Sequence, residues 1–143
     1  MTTSNRGDKM AQNKVVQACE KHWEAHKSDC SGFAKAVAQE LGISLTGSAN
    51  GIVDQTQRPP WTVLKSGVEA KYKADEGMLV IGGLKALGNG HVVIVVPGPL
   101  LHNKYPTAYW GRLGSTGRKN TTVNWSWDED DRDDVTYSCI QVR

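Results

Sequence analysis

Val92-Val93-Ile94-Val95-Val96, entered through Gly90-His91 and closed by Pro97, is the stretch that most narrows the folds open to this chain. An unbroken apolar run of this length reads as a strand buried on both faces, not as an alternating half-exposed one. What lies upstream is helical. Val15, Cys19 and Trp23 recur at i, i+4 and i+8, which predicts a first amphipathic helix. Phe33, Val37 and Leu41 repeat that spacing with Ala34 and Ala38 alongside, and Gly42 is a natural stop. Residues 47–60 read as a loop with a short helical turn around Ile52 and Val53. Ser66-Gly67-Val68-Glu69 has the spacing of a capping box, predicting a third helix to about Ala74 that Gly77 ends. Thereafter the pattern is β: Met78 to Ile81, His91 to Val96, then Tyr109–Leu113, Val123–Trp127 and Val135–Val142. Helices followed by strands indicate an α+β domain with N-terminal helices packed on a largely antiparallel sheet.

At 143 residues one core suffices, and neither an internal repeat nor a linker divides the chain. We expect a flexible N-terminal segment over 1–12 and a single domain over 13–143. Charged residues make up 22% and the net charge is +2, with basic residues scattered, so a nucleic-acid partner is not expected. No apolar stretch reaches the roughly 18 residues of a membrane span, and Met1 to Lys14 has no hydrophobic signal-peptide core. A secreted destination is therefore expected to be reached without a signal peptide.

Cys30 carries the chemistry. It stands in Ser28-Asp29-Cys30-Ser31-Gly32-Phe33, at the start of the second helix. Unpaired N–H groups and the positive end of the helix dipole at that place favour a thiolate. His91 opens the buried strand far along the chain, and a single cysteine with a distant histidine is the usual layout of a cysteine hydrolase. In that reading Cys30 is the nucleophile and His91 the general base and acid. The Cys30 N–H is then a donor to the tetrahedral oxyanion. A third group orienting the imidazole is expected on the next strand, but Tyr109, Trp110 and Gly111 stand there. A backbone carbonyl or a water is therefore expected in that role.

Other residues carry blander readings. His22 and His26 have i, i+4 spacing but no Glu follows the first, so they read as polar helix surface. The acidic run 128–134 lacks the spacing of a calcium loop and reads as a solvated turn. Gly82, Gly83, Gly88 and Gly90 read as shaping a hairpin. The glycosylation-like triplets at Asn120 and Asn124 are short enough to arise by chance. No metal and no cofactor is expected. Three cysteines leave two arithmetics: a Cys19–Cys139 disulfide beside a free Cys30, or two buried free thiols.

These residues together resemble a family. Ala18-Cys19 with Trp23, Cys30-Ser31-Gly32-Phe33, Ala38-Gln39-Glu40-Leu41-Gly42 and Ala49-Asn50-Gly51-Ile52-Val53-Asp54 occur in order. Leu79-Val80-Ile81-Gly82-Gly83-Leu84-Lys85, Gly90-His91-Val92, Gly98-Pro99-Leu100 and Lys104-Tyr105-Pro106 follow them. The set resembles the papain-like cell-wall amidases of the NlpC type, and among them the first family of type VI secretion amidase effectors. The resemblance implies an NlpC-type fold, with residues 13–143 forming a single cysteine amidase domain. It implies a toxin that cuts the γ-D-glutamyl–meso-diaminopimelate bond of peptidoglycan stem peptides, using Cys30 and His91. It also implies delivery by the type VI apparatus into the periplasm of a recipient cell, and a cognate immunity protein that protects the producer. Relatives carry cysteine near the strand after the histidine strand, where this chain has Ala108 and Trp110.

Two other functions remain open to the residues. One keeps the dyad and makes the chain a housekeeping hydrolase or an acyltransferase on another amide. The other is a non-enzymatic wall-binding module with Trp61, Trp110, Trp125 and Trp127 as a stacking platform.

Overall fold

The computed structural model describes residues 13–142, so the segment expected over 1–12 lies outside the described residues. Helix α1, Lys14–His26, starts where the Asn13 side chain accepts from the Val16 N–H (3.0 Å). Helix α2, Cys30–Glu40, is capped by Asp29, whose carboxylate accepts from the Gly32 N–H (3.1 Å). It ends at Leu41 with Gly42 in the left-handed region (φ 79°), which only glycine enters without cost. Helix α3, Ala49–Thr56, is longer than the single turn expected there. Its buried residues Ala49, Ile52, Val53 and Thr56 follow i, i+3, i+4, i+7, an apolar stripe too short to stand out amid Ser48, Asn50 and Gly51. Helix α4, Gly67–Asp75, starts at the predicted pair: Ser66 Oγ accepts from the Glu69 N–H (3.2 Å), while Glu69 Oε1 accepts from the N–H of Lys65, one residue before the cap (2.8 Å).

Six strands form one sheet: β1 (Thr62–Val63), β2 (Leu79–Leu84), β3 (His91–Val95), β4 (Thr107–Trp110), β5 (Arg118–Thr122) and β6 (Thr136–Ile140). Their spatial order is β1-β6-β2-β3-β4-β5 and every pairing is antiparallel, so the domain is α+β as expected. The apolar run forms β3 near the centre of the sheet. Val92, Ile94 and Val96 face a core closed by α1, α2 and α3. Val93 and Val95 face a second core, closed by α4 and by Tyr105, Trp110, Val123, Trp127 and Tyr137. Among the described residues no helix is long and apolar enough to cross a membrane.

Several expectations are corrected. The strand predicted over Val123–Trp127 is displaced to Arg118–Thr122, and Val123–Trp125 is a 3-10 turn. The residues of β5, Arg-Lys-Asn-Thr-Thr, are polar because they form a sheet edge, where charge discourages pairing with another chain. The strand predicted over Tyr109–Leu113 covers Thr107–Trp110 and stops before Gly111, and β1 was not foreseen. Gly82 and Gly83 lie inside β2 and not in the turn, because Tyr137 and Val53 side chains fill the space above them. The candidate Cys19–Cys139 disulfide is absent: all three cysteines are free thiols. Cys19 belongs to the core under α1–α3. Cys139, paired in register with Val80, points into the core on the other side of the sheet.

Candidate active site

Cys30 is the first residue of α2 and only 6% of its surface is accessible. Its position is set by the Asp29 cap, which also takes the Ser31 hydroxyl (3.2 Å). Burial pushes the thiol upward from its ordinary value and the Asp29 carboxylate adds to this; the N–H groups of Val92, Ser31 and Cys30 itself work the other way. The thiolate expected from the helix start is therefore not favoured at rest, because burial disfavours the charged form and the Asp29 cap adds its own negative charge. The Val92 N–H that acts on the thiol belongs to the residue after His91 on β3.

His91 is the first residue of β3, paired with Leu84 of β2. Its ring meets Trp127 edge-on at 5.1 Å between centroids, and its Nε2 lies 2.5 Å from Ser126 Oγ. Burial, with the nearby Arg112 cation, lowers its pKa to about 3. Both candidate partners thus rest uncharged, as thiol and neutral imidazole. The β2–β3 loop just before His91 is pinned by α3: the Asn50 side chain donates to the Ala86 carbonyl (2.8 Å) and accepts from its N–H (3.1 Å).

Ser126 is the polar group beside the imidazole. It belongs to the residue after the 3-10 turn, 35 residues further along the chain than His91, a side chain that the expectation of a backbone carbonyl or a water did not include. Arg112 Nη2 donates to the Ser126 carbonyl (2.5 Å) and to its Oγ (3.3 Å). The loop holding Arg112 is fixed to the end of α1. The Arg112 and Gly117 N–H groups both donate to the Lys27 carbonyl (3.0 and 2.7 Å), and Trp23 Nε1 donates to the Trp110 and Arg118 carbonyls (3.0 and 3.1 Å). At Gly111 the backbone passes so near the His26 and Asp29 carbonyls that a Cβ would overlap both. No local motif announces Ser126 or Arg112. The one sequence signal for Ser126 is Trp125-Ser126-Trp127, where a polar residue stands between two aromatic ones, and Arg112 has none.

The curated proteins supply a relative. Over a 134-residue alignment the chain is 40% identical to the peptidoglycan amidase Tse1 of Pseudomonas aeruginosa, with 86% of each chain covered. The chain belongs to the family of that amidase. No family model matches it. This family assignment agrees with the resemblance drawn from the ordered blocks, and it rests on nearly the whole domain, not on the Cys-Ser-Gly-Phe block alone.

The remaining candidates lie away from this centre. His22 pairs with Glu40 (3.1 Å), which Lys21 also holds (2.9 Å). Asp133 of the acidic run accepts from the Tyr105 hydroxyl (2.7 Å) and pairs with Lys104 (2.8 Å), so part of that turn is tied to the body. The tryptophan platform is overturned: Trp61, Trp110 and Trp127 are buried in the cores, and of the four only Trp125 is exposed, beneath the Arg118 guanidinium (4.7 Å).

Proposed function

We propose that the chain is a peptidoglycan amidase that hydrolyses the γ-D-glutamyl–meso-diaminopimelate bond of stem peptides through Cys30 and His91, on an NlpC-type, papain-like scaffold. The observation that carries this reading is a buried thiol at the capped first residue of a helix, acted on by the N–H of Val92, the residue after His91 on β3. Membership of the Tse1 family supports the substrate class.

The neutral resting pair selects the order of events. His91 takes the Cys30 proton as the sulfur attacks the γ-carbonyl carbon, so a thiolate need not accumulate first. The oxyanion forms near the Cys30 N–H, one of the first-turn donors that a helix leaves without a carbonyl partner inside the helix. The imidazolium then protonates the diaminopimelate amine, the C–N bond breaks, and a thioester remains on Cys30. Water attacks that thioester with His91 again taking the proton, and release of the γ-glutamyl acid restores the thiol. The cognate partners follow from the same reading: delivery by the type VI secretion apparatus, action in the recipient's periplasm, and an immunity protein in the producer.

Mass spectrometry of meso-diaminopimelate peptidoglycan fragments, incubated with wild type and with Cys30→Ala, tests the reading. New fragments ending in γ-D-glutamate should appear with wild type and be reduced at least about a thousandfold with Cys30→Ala. Hydrolysis retained by folded Cys30→Ala would remove the nucleophile assignment. Cleavage of another amide by wild type would favour the housekeeping or acyltransferase alternative.

A further inference from the structure

We propose that Arg112 is a positioning residue of this site: it holds Ser126, and through Ser126 the His91 ring, and it sets a fixed positive charge at the Nε2 edge of the imidazole. The inference rests on the Cys30–His91 reading and goes beyond it, since neither Arg112 nor Ser126 belongs to the reacting pair.

The geometry carries the argument. One guanidinium nitrogen grips both the carbonyl and the hydroxyl of Ser126, and that hydroxyl is 2.5 Å from His91 Nε2. Ser126 is buried at the end of the 3-10 turn, with Arg112 behind it. A guanidinium has donors only, so its bond to Oγ takes one of the two serine lone pairs. One lone pair and one hydrogen remain for the histidine. Toward a neutral imidazole the hydroxyl donates to Nε2 or accepts from Nε2–H; toward an imidazolium it accepts. Ser126 therefore follows His91 through both charge states by rotating one hydrogen, whereas the cation behind it is permanent. A carboxylate in that place would favour the imidazolium; a cation opposes it. The consequence is a base that rests neutral and, once protonated in the acylation step, gives its proton readily to the leaving amine.

The groups around His91 single out Arg112. Helix α2 brings Cys30 and the Asp29 carboxylate, which acts on the thiol. The two residues after the 3-10 turn bring the neutral Ser126 and Trp127, and α3 brings the neutral Asn50. Asp54, also on α3, is engaged by Lys85 at the surface (2.8 Å). Arg112 is the charge that bears on the imidazole among the described residues.

The test is an NMR titration of the His91 ring in the intact chain with Arg112, Arg112→Lys or Arg112→Gln, each carrying Cys30→Ala. It is joined to kcat/KM against pH for the same residues on the Cys30 background. Arg112→Gln should raise the His91 titration by about one unit or more, and the acid limb of kcat/KM should move with it. Arg112→Lys should leave the titration within a few tenths of a unit while kcat falls roughly tenfold, since a point charge does not grip two oxygens at once. An unmoved titration in folded Arg112→Gln overturns the proposal, as does a shift in Arg112→Lys equal to that in Arg112→Gln. Should Arg112→Gln not fold, Ser126→Ala decides: kcat should fall with KM unchanged and recover in Ser126→Thr, and an unchanged kcat overturns the role. The titration needs no peptidoglycan, so a failure of wild type to hydrolyse it would sink the proposed activity and leave this result standing apart.

Discussion

The two faces of the sheet are closed by different means, and the candidate site lies where they meet. Over one face, α1, α2 and α3 lay down regular apolar stripes: Val15, Phe33, Ala34, Val37 and Ile52 are all nearly inaccessible. Over the other, one short helix is helped by large aromatic side chains, Tyr105, Trp110, Trp127 and Tyr137, several of them from segments outside any helix. The helical side supplies Cys30 at a capped helix start. The irregular side supplies Trp127 and Ser126 around His91. In the proposed reaction the nucleophile needs a defined local electrostatic setting, which a helix terminus offers, while the base needs an oriented ring, which side chains converging from distant segments offer.

The largest expected effect asks whether the two faces are equally well packed. Phe33→Ala and Trp110→Ala should each cost about 3–5 kcal/mol in urea unfolding, because both side chains are fully enclosed. A Trp110→Ala cost under about 2 kcal/mol would show that the irregular face is the looser of the two.

A smaller effect distinguishes the faces by pH. The folded chain holds His91 near 3, whereas in the unfolded chain a histidine takes its proton near about 6.5. Above that value both states are neutral at this residue and it costs nothing. As pH falls below it, the unfolded chain binds a proton that the fold refuses, so stability is lost toward acid. Relative to His91→Gln, wild type should lose about 2 kcal/mol between pH 7.5 and pH 5, measured by urea unfolding at each pH. Parallel curves for the two proteins would mean that the imidazole is not held neutral.

The smallest effect probes the helical side alone. Asp29→Ala removes the cap of α2 and should cost about 1 kcal/mol in thermal unfolding. The same change takes a negative charge from beside Cys30, so alkylation of the thiol by iodoacetamide should quicken severalfold at pH 7.5. A slower reaction would show that the cap's ordering of the helix start outweighs its charge.

Sequence by itself determined what depends on neighbours in the chain. The periodic stripes of α1 and α2, the Gly42 stop, the pair Ser66 and Glu69, and the doubly buried β3 were legible because each is written within a few residues. So was Cys30 at a helix start, since the cap, the cysteine and the stripe are contiguous. Only the tertiary structure decided the rest. A polar edge strand such as Arg118–Thr122 has no apolar period to announce it, and the fate of Cys19 and Cys139 turns on which side of a shared sheet each one faces. The partner of His91 arises the same way. Ser126 and Arg112 meet it because a loop fastened to the Lys27 carbonyl and a turn from the far end of the chain converge there. Hydrogen bonds between segments tens of residues apart leave no spacing in the sequence, because the folded backbone, and not the chain's order, sets the distance between their atoms.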